Sequence, residues 1–310
     1  MILTITSNPA VDISYKFDHF LLDNLNRIED VSKTAGGKGL NVSRVLHQLD
    51  EDVAASGFLG GFLGSFISAQ IKEIGIKDSF VQISGETRNC VAIIHDGKQT
   101  EILENGPVIS EHETTIFIEK FTEYVQQVEV VTISGSLPKG LSTDFYVKLI
   151  AIANKYEVRV ILDVNGELLT SILESENKPY LIKPNREELG DLLGQESIDE
   201  LQIIKALISP LFNSIPWVVV TLGAEGAIAK HGKKFYKAKA PKIEAINPVG
   251  SGDSVVAGFA AGLVRGLEDE NLIKLGLSMG VLNAMEEKTG HINVGKIDWA
   301  IEKIEVDRIE

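Results

Sequence analysis

The chain has 310 residues, 44% hydrophobic and 24% charged, the composition of a water-soluble globular protein able to bury a large core. Its 30 Lys and Arg against 44 Asp and Glu leave a net charge of 30 − 44 = −14, and without a basic tract this argues against a general nucleic-acid surface. No stretch reaches the ~18 uninterrupted apolar residues of a membrane span, no basic leader opens the chain, and the single cysteine excludes an intrachain disulfide framework. A cytoplasmic protein with no membrane and no nucleic-acid partner is the expectation.

In chain order, residues 1–6 (MILTIT) predict a first strand. Residues 12–35 alternate apolar and polar side chains between turns, which predicts strands of a small separate sheet. Gly36-Gly37-Lys38-Gly39-Leu40-Asn41-Val42-Ser43 then brings three glycines, a lysine and an asparagine to the start of a predicted helix. The run 53–58 predicts the next strand. Residues 87–106, with their His95-Asp96-Gly97-Lys98 turn, predict the second half of the small sheet, with Cys90 a strand residue without chemistry. The runs 128–134, 158–163, 180–183 and 217–222 are short, apolar and rich in β-branched residues, and helical periodicity fills 144–156 and 198–212. That alternation predicts an α/β fold with a doubly wound, mostly parallel sheet flanked by helices. Residues 1–310 form one domain in this reading, with lid segments inserted at about 12–35 and 87–106. A sheet that small must cover the active site, another subunit, or both.

In such sheets the ligand crevice lies beyond the carboxyl ends of the strands, and the distinctive residues follow strands: Ser134-Gly135-Ser136, Asp163, Lys183-Pro184-Asn185, Thr221-Leu222-Gly223 and Asn247-Pro248-Val249-Gly250-Ser251-Gly252-Asp253-Ser254. In the last of these, Gly250 and Gly252 leave backbone amides pointing along the positive end of a predicted helix, a site for an anion. A carboxylate beside an anion hole is placed to take a proton from an attacking hydroxyl, as phosphoryl transfer requires. Taken alone, Asp253 reads first as a helix cap. The segment 36–43 does not fit the P-loop spacing, and no dinucleotide G-x-G-x-x-G occurs in a strand-turn-helix setting. The six histidines show no metal-ligand spacing. If the ligands are anions, an acidic chain must concentrate cations locally, which singles out Arg27, Lys38 and Arg88.

Together, Asn8-Pro9-Ala10-Val11-Asp12, Gly36-Gly37-Lys38-Gly39-Leu40-Asn41, Ser134-Gly135-Ser136-Leu137-Pro138, Lys183-Pro184-Asn185-Arg186-Glu187-Glu188, Thr221-Leu222-Gly223 and residues 247–258 occur in one order along the whole chain. In this the chain resembles the PfkB carbohydrate kinase family, also called ribokinase-like. Within the family its wording is most similar to the branch that phosphorylates ketohexose phosphates, and the resemblance implies D-tagatose 6-phosphate as substrate, with fructose 1-phosphate or a non-catalytic sugar-phosphate sensor as alternatives. It further implies ATP and Mg²⁺ as cofactors. Asp253 would be the general base, with the Gly250, Ser251 and Gly252 amides as the anion hole. Asp12, Gly37 and Asn41 would hold sugar hydroxyls, and Arg27, Lys38, Arg88 and Ser136 the phosphate already on the sugar. Lys183 and Asn185 would meet the ATP phosphates. Thr221, Gly223 and Gly226 would lie along the nucleotide, with Asn283 at its adenine end. Glu188, with Asn185, would hold Mg²⁺ through water. A two-fold dimer through matched lid surfaces is the implied assembly.

Overall fold

Apolar runs become strands here because both of their faces are covered. In a computed structural model describing residues 1–309, the chain opens with strands β1 (Ile2–Thr6), β2 (Ala10–Lys16) and β3 (Val31–Gly36), then helix α1 (Lys38–Gln48), β4 (Val53–Gly60) and α2 (Gly61–Glu73). Short strands β5 (Lys77–Asp78) and β6 (Val81–Ile83) lead into β7 (Arg88–His95) and β8 (Lys98–Leu103). Strands and helices then alternate through α3 (Glu111–Val125), β9 (Val130–Ser134), α4 (Phe145–Lys155), β10 (Arg159–Asp163), α5 (Gly166–Glu174), β11 (Leu181–Ile182), α6 (Arg186–Leu193) and α7 (Glu200–Ile208). A meander β12 (Trp217–Thr221), β13 (Ala227–His231) and β14 (Lys234–Lys239) precedes α8 (Ser251–Val264), α9 (Asp269–Ala284), α10 (Ile297–Lys303) and β15 (Glu305–Ile309).

The main sheet has the order β15-β14-β13-β12-β11-β10-β9-β1-β4-β5, with β6 also pairing β4. From β12 to β5 all neighbours are parallel. The β12 to β15 edge is antiparallel: short turns send the chain straight back from β12 to β13 and from β13 to β14, and β15 returns to pair β14 after α8, α9 and α10. Helices α1, α2, α8, α9 and α10 cover one face, with Leu46, Ile67, Phe259, Ile273 and Ala300 in a shared core. Helices α3 to α7 cover the other with Phe117, Tyr146, Ile172, Leu189 and Ile203. The helix expected over 198–212 stops at Ile208. Pro210 opens a separate 3₁₀ turn, since proline has no N–H to continue the ladder.

Helix α8 is buried along nearly its whole length, and glycines make that possible. A Cβ on Gly258 would lie 2.7 Å from the Leu275 carbonyl oxygen, and one on Gly276 would lie 2.5 Å from the Phe259 ring. The α8–α9 pair therefore packs closer than side chains allow, and its rigidity holds the α8 N-terminus at the carboxyl edge of the sheet.

The small sheet has the order β3-β2-β7-β8. It is mixed: β2 pairs β7 in parallel, because both strands leave the carboxyl edge of the main sheet in the same direction, while the outer pairs are antiparallel. Thr34, Asp12 and Cys90 share a row on its cleft side, and Ile13, Tyr15, Val91 and Ile93 lie on alternate positions. No helix among the described residues is long and apolar enough to cross a membrane.

Candidate active site

Two helix N-termini meet at the centre of the cleft. Helix α1 begins after Gly37, whose φ of +115° belongs to glycine, and a Cβ on Gly39 would lie 2.6 Å from the Ile5 carbonyl oxygen, so α1 is pressed against the end of β1. Helix α8 begins after Gly250, with φ +80°. Asp253 stands in the first turn of α8, yet no side chain caps that helix. Its Oδ2 instead accepts a hydrogen bond of 2.7 Å from Asn41 Nδ2, on α1. The cap and base readings of Asp253 are thus separated by geometry: the carboxylate faces another helix and the cleft.

A second carboxylate, Asp163 at the end of β10, is 2% exposed and sits 3.2 Å from Lys183 Nζ and 3.6 Å from Lys38 Nζ. Burial works against its charge, but the two lysines outweigh that and hold it below the usual carboxylate range. Asp253 moves the opposite way. Burial first, and the Asp163 charge second, push it up to about 7, against the Asn41 hydrogen bond and the pull of Lys38 and Lys183. Lys38 rises despite burial because Asp163, Asp253 and Glu188 surround it. Burial likewise lifts Asp12 to about 6, against Arg44 and Arg88.

Every residue singled out in the sequence lines one cleft of about 1860 Å³ except Arg27 and Asn283. That volume exceeds the ~300–1,000 Å³ of a typical single-ligand pocket, leaving room for two ligands side by side. Arg27 is exposed in the connection between β2 and β3, outside the cleft wall. Asn283 is fully buried behind the Gly250 turn, donating to Val249 O at 2.9 Å and accepting from Gly290 N at 2.8 Å, so its amide braces that turn. Arg88 donates to Glu104 O and Asn8 O, and Asn8 Nδ2 lies 3.5 Å from Ser136 Oγ. A Cβ on Gly252 would lie 3.3 Å from Lys183 Nζ, which puts that ammonium beside the amides of the turn.

The Asn185 and Glu188 spacing is a capping box for α6: Asn185 Oδ1 accepts from Glu188 N, and Glu188 Oε2 from Asn185 N, both at 2.8 Å. The box orients a half-buried carboxylate toward the cleft. Among the described residues no group of three or more acidic, His or Cys side chains could enclose a metal ion. The donors present fit a Mg²⁺ held through its own water shell and ligand phosphates, since this ion gives up water reluctantly. Thr221 is paired to Asn185 across a bridge, and a Cβ on Gly226 would lie only 2.1 Å from the Ala238 carbonyl oxygen. Asp163 is at the cleft as its strand-end position predicts, with a role the sequence did not assign; Asn8 stands inside a motif, and Arg44, three positions after Asn41 on one helix face, is the contributor that the sequence did not single out.

The family model described as pfkB family carbohydrate kinase matches residues 4–294. A tagatose-6-phosphate kinase from Staphylococcus epidermidis is 52% identical over 307 residues, covering 99% of this chain and 99% of that protein. Among solved structures, a putative phosphofructokinase from Staphylococcus aureus superimposes with a TM-score of 0.86 at 31% identity, over 100% of this chain and 99% of that one. A possible 1-phosphofructokinase from Thermotoga maritima gives a TM-score of 0.88 at 26% identity over 100% of both chains.

The raised Asp253 pKa has a consequence for stability. A carboxylate lifted from 3.8 to about 7 on folding favours the native state fully below its unfolded pKa, and that contribution is lost as pH rises through about 7. Asp253→Asn removes this titration and keeps an acceptor for Asn41. Calorimetry should find the variant melting several degrees above wild type at about pH 8, with the gap closing toward about pH 4. A gap independent of pH would contradict the buried-charge account.

Proposed function

The chain belongs to the pfkB family of carbohydrate kinases, and we propose that its reaction is transfer of the ATP γ-phosphoryl group to D-tagatose 6-phosphate, giving D-tagatose 1,6-bisphosphate. The observation that carries the chemistry is the Asp253 carboxylate, uncommitted to its own helix and held by Asn41 beside the Gly250 to Gly252 amides. As the sugar oxygen attacks, Asp253 Oδ accepts the hydroxyl proton, and a pKa near neutrality matches that role. The amides of Gly250, Ser251 and Gly252 and the positive end of α8 oppose the charge on the transferring group. Lys183 carries a positive charge to the same point, and ionised Asp163 holds both lysines in place. Lys183 and Asn185 face the nucleotide phosphates, and Thr221, Gly223 and Gly226 its path along the cleft wall. Glu188 would hold Mg²⁺ through water, and the ion would neutralise charge on the ATP phosphate oxygens. Asp12, Gly37 and Asn41 take the sugar hydroxyls.

Lys38, Arg88 and Ser136 take the phosphate already on the sugar. Arg27 joins them only if the connection between β2 and β3 closes inward. The small sheet would act as the lid that excludes water from the γ-phosphate. Fructose 1-phosphate is the second reading, favoured by the likeness to a possible 1-phosphofructokinase. A sensor without turnover has no use for a free base beside an anion hole.

Four measurements test this reading. The kcat/KM for D-tagatose 6-phosphate should exceed those for fructose 6-phosphate and fructose 1-phosphate, and Asp253→Asn should lower kcat by ~10²–10⁴; preference for fructose 1-phosphate would reassign the substrate, and an undiminished kcat would remove the base. Arg88→Ala should raise KM for the sugar phosphate ~10-fold or more with little change for ATP, because an arginine fork binds phosphate oxygens with both charge and geometry. Equal effects on both substrates would limit Arg88 to bracing Asn8 and Glu104. The half-exposed row Ile13, Tyr15, Val91 and Ile93, with Val31 and Ile102 beside it, calls for a second copy of the chain, so light scattering at micromolar concentration should report about twice the 33.8 kDa chain mass. A monomer would show that this face is left to solvent.

A further inference from the structure

Arg44 belongs to no step described so far. It lies three residues after Asn41 on α1, with Nη1 donating 2.6 Å to Ala35 O at the end of β3 and Nη2 donating to Asn41 Oδ1. Its Nε is buried without a partner, against Gly290, where a Cβ would lie only 3.1 Å away. Both guanidinium contacts are to oxygens, as they must be, because arginine has donors and no acceptor.

That one-sidedness has a consequence for the next residue in line. A carboxamide has an acceptor end and a donor end. With a guanidinium on one side, Asn41 can only present its oxygen to Arg44 and its NH₂ to Asp253, at 2.7 Å. An NH₂ group facing Asp253 Oδ2 is satisfied only by an oxygen lone pair, which the unprotonated carboxylate always offers. If the amide turned over, its oxygen would face Asp253 and call for a carboxylic O–H. We propose that Arg44 is a positioning residue that fixes the orientation of the Asn41 amide and thereby holds Asp253 in its proton-accepting form. The inference rests on Asp253 being the general base, and extends that reading to how the base is kept ready.

The alternative is that Arg44 acts only as one more positive charge. The charged groups facing the Asp253–Arg44 pair are Lys38 from α1, Asp163 from the end of β10, Lys183 after β11, Asp12 from β2 and His291 from the segment after α9. Burial lowers Arg44, while Asp12 and Asp253 raise it. Against so many charges, a through-space effect of Arg44 would persist whatever occupies position 41. An effect relayed by the amide would not.

The test is therefore kcat against pH, at saturating substrates, for wild type, Arg44→Met, Arg44→Lys, Asn41→Ala and the double variant Arg44→Met/Asn41→Ala. Arg44→Met should move the acid limb up by about one pH unit, lowering kcat ~10-fold on the acid side and less than ~3-fold on the alkaline plateau. Arg44→Lys, which keeps a donor-only cation, should recover part of the shift. In the Asn41→Ala background, Arg44→Met should move the limb by less than ~0.3 unit, the signature of two residues acting in series. An equal shift in both backgrounds, or none in either, would overturn the proposal. If Arg44→Met does not fold, as judged by its melting transition and KM for ATP, the same comparison is made with Arg44→Lys. Asp253→Asn separates the two levels: if it retains turnover with an acid limb, the base assignment fails; if it abolishes turnover while Arg44 variants leave the limb in place, only the Arg44 inference fails.

Discussion

The hydrogen bond from Asn41 to Asp253 joins the starts of two helices that lie 212 residues apart in sequence. Each helix alone delivers only a ring of unsatisfied amides and a partial positive charge. Brought together, they place an anion site, a carboxylate and an amide within one hydrogen-bonded unit. The distance is set by backbone packing, with Gly39 letting α1 rest on the end of β1 and the Gly258 and Gly276 contacts letting α8 lie deep against α9. Small residues outside the Asn41–Asp253 contact thus decide where it forms.

Electrostatics then divides the labour between two buried carboxylates. Asp163 meets two lysines directly and stays ionised; Asp253 meets a neutral amide and is pushed toward neutrality by burial and by Asp163 itself. Environment alone keeps one ionised and brings the other toward neutrality. In a chain of net charge −14, the cations Lys38, Arg44, Arg88 and Lys183 are gathered in one cleft, where low dielectric makes each worth more than it would be on the surface.

Several residues serve the fold and the site with the same atoms. The capping box of Asn185 and Glu188 terminates α6 and aims a carboxylate into the cleft. The Asn283 amide ties Gly290 to the Val249 carbonyl and so holds the Gly250 turn, doing its work from behind the wall that it supports. Gln48, one turn beyond Arg44, donates to Gly290 O and accepts from Ile292 N, so α1 also grips the segment that holds Asn283. The Gly250 turn is consequently held from both helices and from the connection after α9.

The sequence by itself determined the α/β class, the near positions of most strands, the small second sheet and the order of the motifs, because these follow from local periodicity, glycine placement and strand-end composition. It also indicated most of the cleft lining. Tertiary structure alone decided that Asp253 is no cap, that Asn283 stands behind the turn, that Arg27 lies outside the cleft, that Asp163 pairs with two lysines, and that Arg44 belongs to the site. Periodicity says which face of an element is buried. It cannot say which of a polar side chain's possible partners, on a helix hundreds of residues away, packing will bring within 3 Å, and for buried charges that choice sets the chemistry.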